Sequence, residues 1–81
     1  MTANSAKSVI RVDFHNADAD GFVRLNTVGA INDLAATSIV LRDGVELLVT
    51  DGEVEIVGVV RNPGAEGVWR LQVDWSALSK L

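Results

Sequence analysis

The residues whose types and spacing come nearest to a chemical site are Asn16-Ala17-Asp18-Ala19-Asp20-Gly21. Oxygen donors at alternate positions, followed by glycine at the sixth, match the first half of a calcium-binding loop. There the oxygens wrap the ion and the glycine allows a sharp turn. Val23 at position eight also fits, but position twelve is Thr27, where a bidentate glutamate should complete the coordination sphere. The flanking segments read as strands rather than helices. The sequence therefore favours an acidic hairpin loop over a calcium site, and no metal or cofactor is expected.

Other reactive types are present without a constellation. His15 is the sole histidine and can pair weakly with Asp13 on the same strand face, but no further ligand stands at metal-binding spacing. Ser5, Ser8, Ser38, Ser76 and Ser79 fall in tails, caps and strand starts, whereas nucleophilic catalysis needs a hydroxyl or thiol set against a base. Glu46, Glu53 and Glu55 come from adjacent strands beside the Asp51-Gly52 turn and could in principle do acid–base work. Their ordinary role is a solvated acidic rim. Glu53 and Glu55 can face Arg70 or Arg61, and such exposed pairs contribute only about 0–1 kcal/mol each. Gly29 lacks the second glycine and the lysine of a phosphate loop. The chain is expected not to be an enzyme, and no small-molecule substrate is inferred.

The elements that must position these residues are mostly strands. Val9–His15 alternates Ile10, Val12 and Phe14 against Arg11, Asp13 and His15, the period of a half-buried strand. Phe22–Asn26 alternates in the same way, so the two read as a hairpin. Thr27–Thr37 places Val28, Ile31, Leu34 and Ala35 on one helical face with Thr27 as cap, and Gly29 and Asn32 limit it to one or two turns. Ser38–Arg42, Val45–Thr50, Glu53–Arg61 and Val68–Trp75 then read as a four-stranded meander. Asp43-Gly44 and Asp51-Gly52 make two of its turns, and Asn62–Gly67 is a loop. Gly58 inside the third of these strands suggests a bend or bulge. Trp69, Leu71, Val73 and Trp75 share the inward parity, and Trp75, near the strand end, is also a candidate contact residue. Ser76–Leu81 can form a closing helical turn capped by Ser76.

With 81 residues there is material for one domain, placed at 9–81 behind a short flexible tail at 1–8. The predicted architecture is all-β: a small antiparallel barrel of five or six strands with one short helical insert. The order of hairpin, helical turn and meander resembles the Src-homology-3-like small barrels. Arg24 to Thr27 (Arg-Leu-Asn-Thr), Asp33 to Ala35 (Asp-Leu-Ala) and the Asp74-Trp75 ending are also similar to stretches in short bacterial proteins. Both resemblances imply a fold and no activity.

Composition narrows the function classes. The net charge is -4, and the basic residues Lys7, Arg11, Arg24, Arg42, Arg61, Arg70 and Lys80 are scattered, which argues against nucleic acid as a partner. No cysteine is present, so no disulfide or thiolate site can form, and a reducing cytoplasm is the expected compartment. No apolar run approaches the ~18–20 residues of a membrane span, and no membrane partner is expected. Hydrophobic residues make up 48% of the chain, a surplus for so small a volume. Leu48, Val57 and Val59 fall on the strand face opposite Val49, Ile56 and Val60. Together with Trp75 they are the expected interface residues of a self-associating interaction module. The alternative is a regulatory, adaptor or antitoxin-like protein that binds another chain through a sheet edge or an acidic face.

Overall fold

Apolar alternation builds strands here, but the strands do not close. The structure, a computed structural model, describes residues 9–78. Among them are β1 (Val9–Arg11), β2 (Val23–Arg24), α1 (Val28–Thr37), β3 (Glu46–Thr50), β4 (Glu55–Arg61), β5 (Arg70–Gln72) and α2 (Trp75–Leu78). The strands form one open sheet in the order β1-β3-β4-β5-β2. β1 runs parallel to β3 and the other pairs are antiparallel. The expected tail at 1–8, and Ser79 to Leu81 of the expected closing turn, lie outside the described residues.

The predicted antiparallel barrel is thus corrected to a mixed open sheet with two short helices, and the cause lies in two segments. Asn16–Gly21 does not link β1 to β2 as a hairpin. It folds back on β2 instead: Asp18 N–H donates to Phe22 O, Arg24 N–H donates to Asn16 O, and Ala17 bridges Val23. β1 is left to pair with β3, in register Ile10 with Val49, and so takes the place expected for Ser38–Arg42. That segment is no strand. Ile39 and Leu41 still pack against the core from outside the sheet. A parallel pair needs a crossover of a dozen or more residues, and the stretch from Val12 to Val45 supplies it.

One face of the sheet carries the core. Ile10, Val12, Val23, Leu25, Leu47, Val49, Val60, Leu71 and Val73 are buried there together with Ala30 of α1. Thr27 caps α1 as expected, its side chain accepting from the Ala30 N–H at 3.1 Å. The helix runs ten residues, longer than Gly29 and Asn32 suggested. Its buried side is also not the predicted one. Ala30 is buried and Leu34 half-buried, whereas Val28 and Ile31 are 76% and 53% exposed. Small residues line the side toward β1: Ala30 is buried, and a Cβ at Gly29 would meet Arg11 Cβ at 3.4 Å, an ordinary van der Waals contact. Loss of the cap is a local event. Thr27→Ala should cost about 1 kcal/mol and Thr27→Ser should recover most of it, read by urea denaturation; an alanine variant as stable as the parent would show the cap to be idle.

α2 is capped by Asp74 rather than by Ser76. Asp74 Oδ1 accepts the N–H groups of Ser76 and Ala77 and the Ser76 hydroxyl. Gly58 forms no bulge either: the β3–β4 register runs unbroken through Leu47–Gly58.

Candidate functional site

Three arginines that are far apart in sequence line up across one end of the sheet. Arg61 of β4 is in register with Arg70 of β5, and Arg70 with Arg24 of β2. Like charges directly opposite one another destabilise a sheet, and here each is answered by acids from the loops. Arg24 grips Glu66 with both prongs, Nε to Oε1 at 2.7 Å and Nη2 to Oε2 at 2.8 Å, and its Nη1 donates to Asn16 Oδ1 and Ala17 O. Arg70 donates through Nη1 to Asp18 Oδ2 at 3.2 Å and Asp20 Oδ2 at 3.0 Å, and through Nε to Asn62 O. Its guanidinium also stacks over the Phe22 ring, 4.8 Å from the centroid. Arg61 is held more loosely, by the neutral Gln72 Oε1 at 2.9 Å and by Asp43 at 3.4 Å.

The predicted calcium-like loop is therefore already occupied by a cation, the Arg70 guanidinium. Asp18 Oδ1 is taken by the N–H groups of Asp20 and Phe22. Burial, the largest influence on Asp18, pushes its carboxyl up. The Phe22 N–H, Arg70 and the Asp20 N–H together outweigh it and leave the group below its ordinary value. Direct hydrogen bonds from Arg24 hold Glu66 low in the same way, against a weaker effect of burial. Asp18, Ala19, Asp20, Gly64, Ala65, Glu66 and Arg70 line a cleft of about 180 Å³, well below the usual size of a small-molecule site. Among the described residues no group of three or more His, Asp or Glu side chains is arranged to hold a metal ion.

The remaining sequence candidates are not brought together. His15 Nδ1 lies 3.5 Å from Asp13 Oδ1, the weak pair that was expected, on an open surface. Glu53 and Glu55 meet neither Arg61 nor Arg70, whose partners are those just named. Among the described residues Glu46, Glu53 and Glu55 have no ion-pair partner, and a solvated rim describes them. The arginine row was legible in principle, since Arg61 and Arg70 share the solvent parity of strands joined by the Asn62–Gly67 loop. Arg24 gave no such signal.

The predicted interface residues divide into two places. Leu48 and Val57 stand opposite each other on β3 and β4, and Val59 follows on β4 with the same parity. All three lie on the face away from the core, Leu48 and Val59 half-buried and Val57 57% exposed. Val9, in register with Leu48, extends this patch and was not singled out from the sequence. Trp75 belongs elsewhere. It opens α2 and its indole N–H donates to Gly21 O at 2.9 Å, so it closes over the turn that precedes β2. Trp69 packs against the core.

Both sheet edges are engaged within the chain. At β1, Asp33 of α1 accepts the Arg11 backbone N–H and both guanidinium prongs, each at 2.9 Å. Those bonds, the side-chain one foremost, hold the Asp33 carboxyl below its ordinary value. At β2 the outer edge is bonded to residues 16–18.

Compared with known proteins, the chain matches no family model, no curated protein and no solved structure. Among the described residues no helix is long and apolar enough to cross a membrane.

Proposed function

We propose that this chain is a non-enzymatic protein-interaction module that associates with a second copy of itself through the outer face of β3 and β4. The observation that carries the reading is the outward aliphatic patch of Leu48, Val57 and Val59. The opposite sheet face is packed by α1 and the Ile39–Leu41 segment, while Val57, on this face, is 57% exposed. Burying a large aliphatic side chain is worth about 1.5–3 kcal/mol, part of which is consumed by lost translational freedom and side-chain ordering. The alternative route, strand addition at a sheet edge, has little support, because Asp33 and the 16–18 segment already bond both edges.

Val57→Asp places a charge at the centre of the patch on an exposed position, so the fold should survive while association fails. By light scattering, the parent should gain mass with concentration and the variant should remain monomeric. A parent that stays monomeric throughout, with Val57→Asp silent, defeats the proposal.

A further inference from the structure

We infer that Asp51-Gly52, in the turn between β3 and β4, is a site of self-modification. There the Gly52 nitrogen closes on the Asp51 side-chain carboxyl, and the backbone link passes from an α- to a β-aspartyl bond.

The chemistry needs only what the chain and water supply. The Gly52 nitrogen forms a bond to Asp51 Cγ, and its proton leaves with the carboxyl hydroxyl as water. The product is a five-membered succinimide. Water then opens the ring at either carbonyl. Breaking the bond from nitrogen to Cγ restores aspartate. Breaking the bond from nitrogen to the backbone carbonyl carbon leaves the chain linked through Cγ, one backbone atom longer and with the α-carboxyl as its side group. Glycine favours the closure because no Cβ shields its nitrogen or restricts its dihedrals.

The chain holds three such pairs, Asp20-Gly21, Asp43-Gly44 and Asp51-Gly52. The three glycines have φ of 83°, 94° and 103°, so their conformation does not separate them. Their partners do. Asp20 Oδ2 accepts from Arg70 of β5 at 3.0 Å, Gly21 N–H donates to Asp18 O, and Gly21 O accepts the Trp75 indole. Asp43 accepts from the Asn62 N–H and from Arg61, and Gly44 N–H donates to Val60 O of β4 at 2.8 Å. At the third pair the partners are local. Asp51 Oδ1 accepts the N–H groups of Glu53 and Val54, and Gly52 N–H donates to the Thr50 hydroxyl at 2.9 Å.

Opening the turn at 50–54 therefore breaks bonds within five residues. It leaves the β3–β4 ladder, which ends at Thr50 and Glu55, in place. Opening either of the other two parts a loop from a separate element. The N–H groups of Glu53 and Val54 hold the Asp51 carboxyl below its ordinary value, but the motion that frees the Gly52 nitrogen releases them as well. Local openings are the more populated the fewer bonds they break, so Asp51 should convert about tenfold faster than Asp20 or Asp43 in the folded protein.

The folded chain, held for weeks in neutral buffer below its melting temperature, tests this by peptide mapping. A carboxyl methyltransferase specific for β-aspartyl links, with labelled S-adenosylmethionine, reports the product at each site. The label should accumulate in the peptide containing Asp51, after a species one water lighter. In concentrated urea the three sites should convert at similar rates, since the fold no longer separates them. Thr50→Val removes the acceptor of the Gly52 N–H and should speed conversion about threefold. Asp51→Glu should abolish the signal, because closure there needs a six-membered ring. Conversion of Asp20 or Asp43 as fast as Asp51 in the folded chain overturns the inference. So does conversion of Asp51 in urea alone, which would show that the turn protects it.

Discussion

Gly58→Ala is expected to destabilise the domain by about 3 kcal/mol, although alanine is ordinarily the better strand residue. A Cβ at Gly58 would fall 2.5 Å from Leu71 Cδ2, 2.6 Å from Cγ and 3.0 Å from Cδ1. Leu71 has no free room to retreat. It is fully buried, in register with Val60 on one side and Val23 on the other, and both of those are fully buried too. A domain of this size holds only about 4–12 kcal/mol in all, so Gly58→Val should fail to fold. The steric origin is separable by a double-mutant cycle. Leu71→Ala alone should cost about 2–5 kcal/mol through the cavity it leaves. In that background Gly58→Ala should be neutral or stabilising, because the new methyl enters the vacated space. Thermal and urea denaturation of the four proteins measure this, and a single variant Gly58→Ala that gains stability would exclude Leu71 as the reason for the glycine.

That glycine shows what the sequence could and could not convey. The alternation of Val45–Thr50 and Glu53–Arg61 about Asp51-Gly52 indicates β3 and β4, because a two-residue period and a tight turn are local signals. The same alternation names Leu48, Val57 and Val59 as the outward set. Gly58 stood out as a break in the pattern, but its cause is a leucine thirteen positions later on another strand, which no local pattern contains. Ile39 and Leu41 alternate like a strand and are half-buried like one. They lack only a ladder, and whether a segment has a ladder depends on which other segment reaches β3 first. β1 does so in parallel across more than thirty residues, a pairing without a turn to announce it. The helix face was misread for a related reason. Spacing alone favours the large aliphatics as the buried side, yet the side turned to β1 carries Gly29 and Ala30, and Val28 and Ile31 are left outside.

Removal of the Arg70 guanidinium should lower the melting temperature by about 10 °C at neutral pH, and the deficit should shrink in acid. Arg70 is only 15% exposed and Asp18 only 8%, so Arg70→Met leaves a carboxylate facing the loop interior without its counter-charge. The methionine keeps a stem for contact with Phe22, which isolates the loss of charge and hydrogen bonds. Asn62 O also loses its donor, so the 62–67 loop and the 16–21 loop come apart together. The pH dependence follows from the direction of the Asp18 shift. Its carboxyl lies below the ordinary value of about 3.9 in the folded protein. The stabilisation it supplies is therefore complete above that value and is lost as pH falls through the lowered one. Once Asp18 is protonated it no longer needs Arg70, so the gap between parent and variant should narrow as pH falls through the lowered value, leaving the share carried by the Asn62 O bond. Arg70→Lys should fall between the two, since an ammonium can neutralise Asp18 but cannot reproduce the planar fork that reaches Asp18, Asp20 and Asn62 at once. Calorimetry at pH 7 and in acid distinguishes this from simple loss of packing, which would leave the deficit constant with pH. A constant deficit would mean that the arginine row is held by shape alone, and that Asp18 and Asp20 are not what permits three cations to stand side by side across β4, β5 and β2.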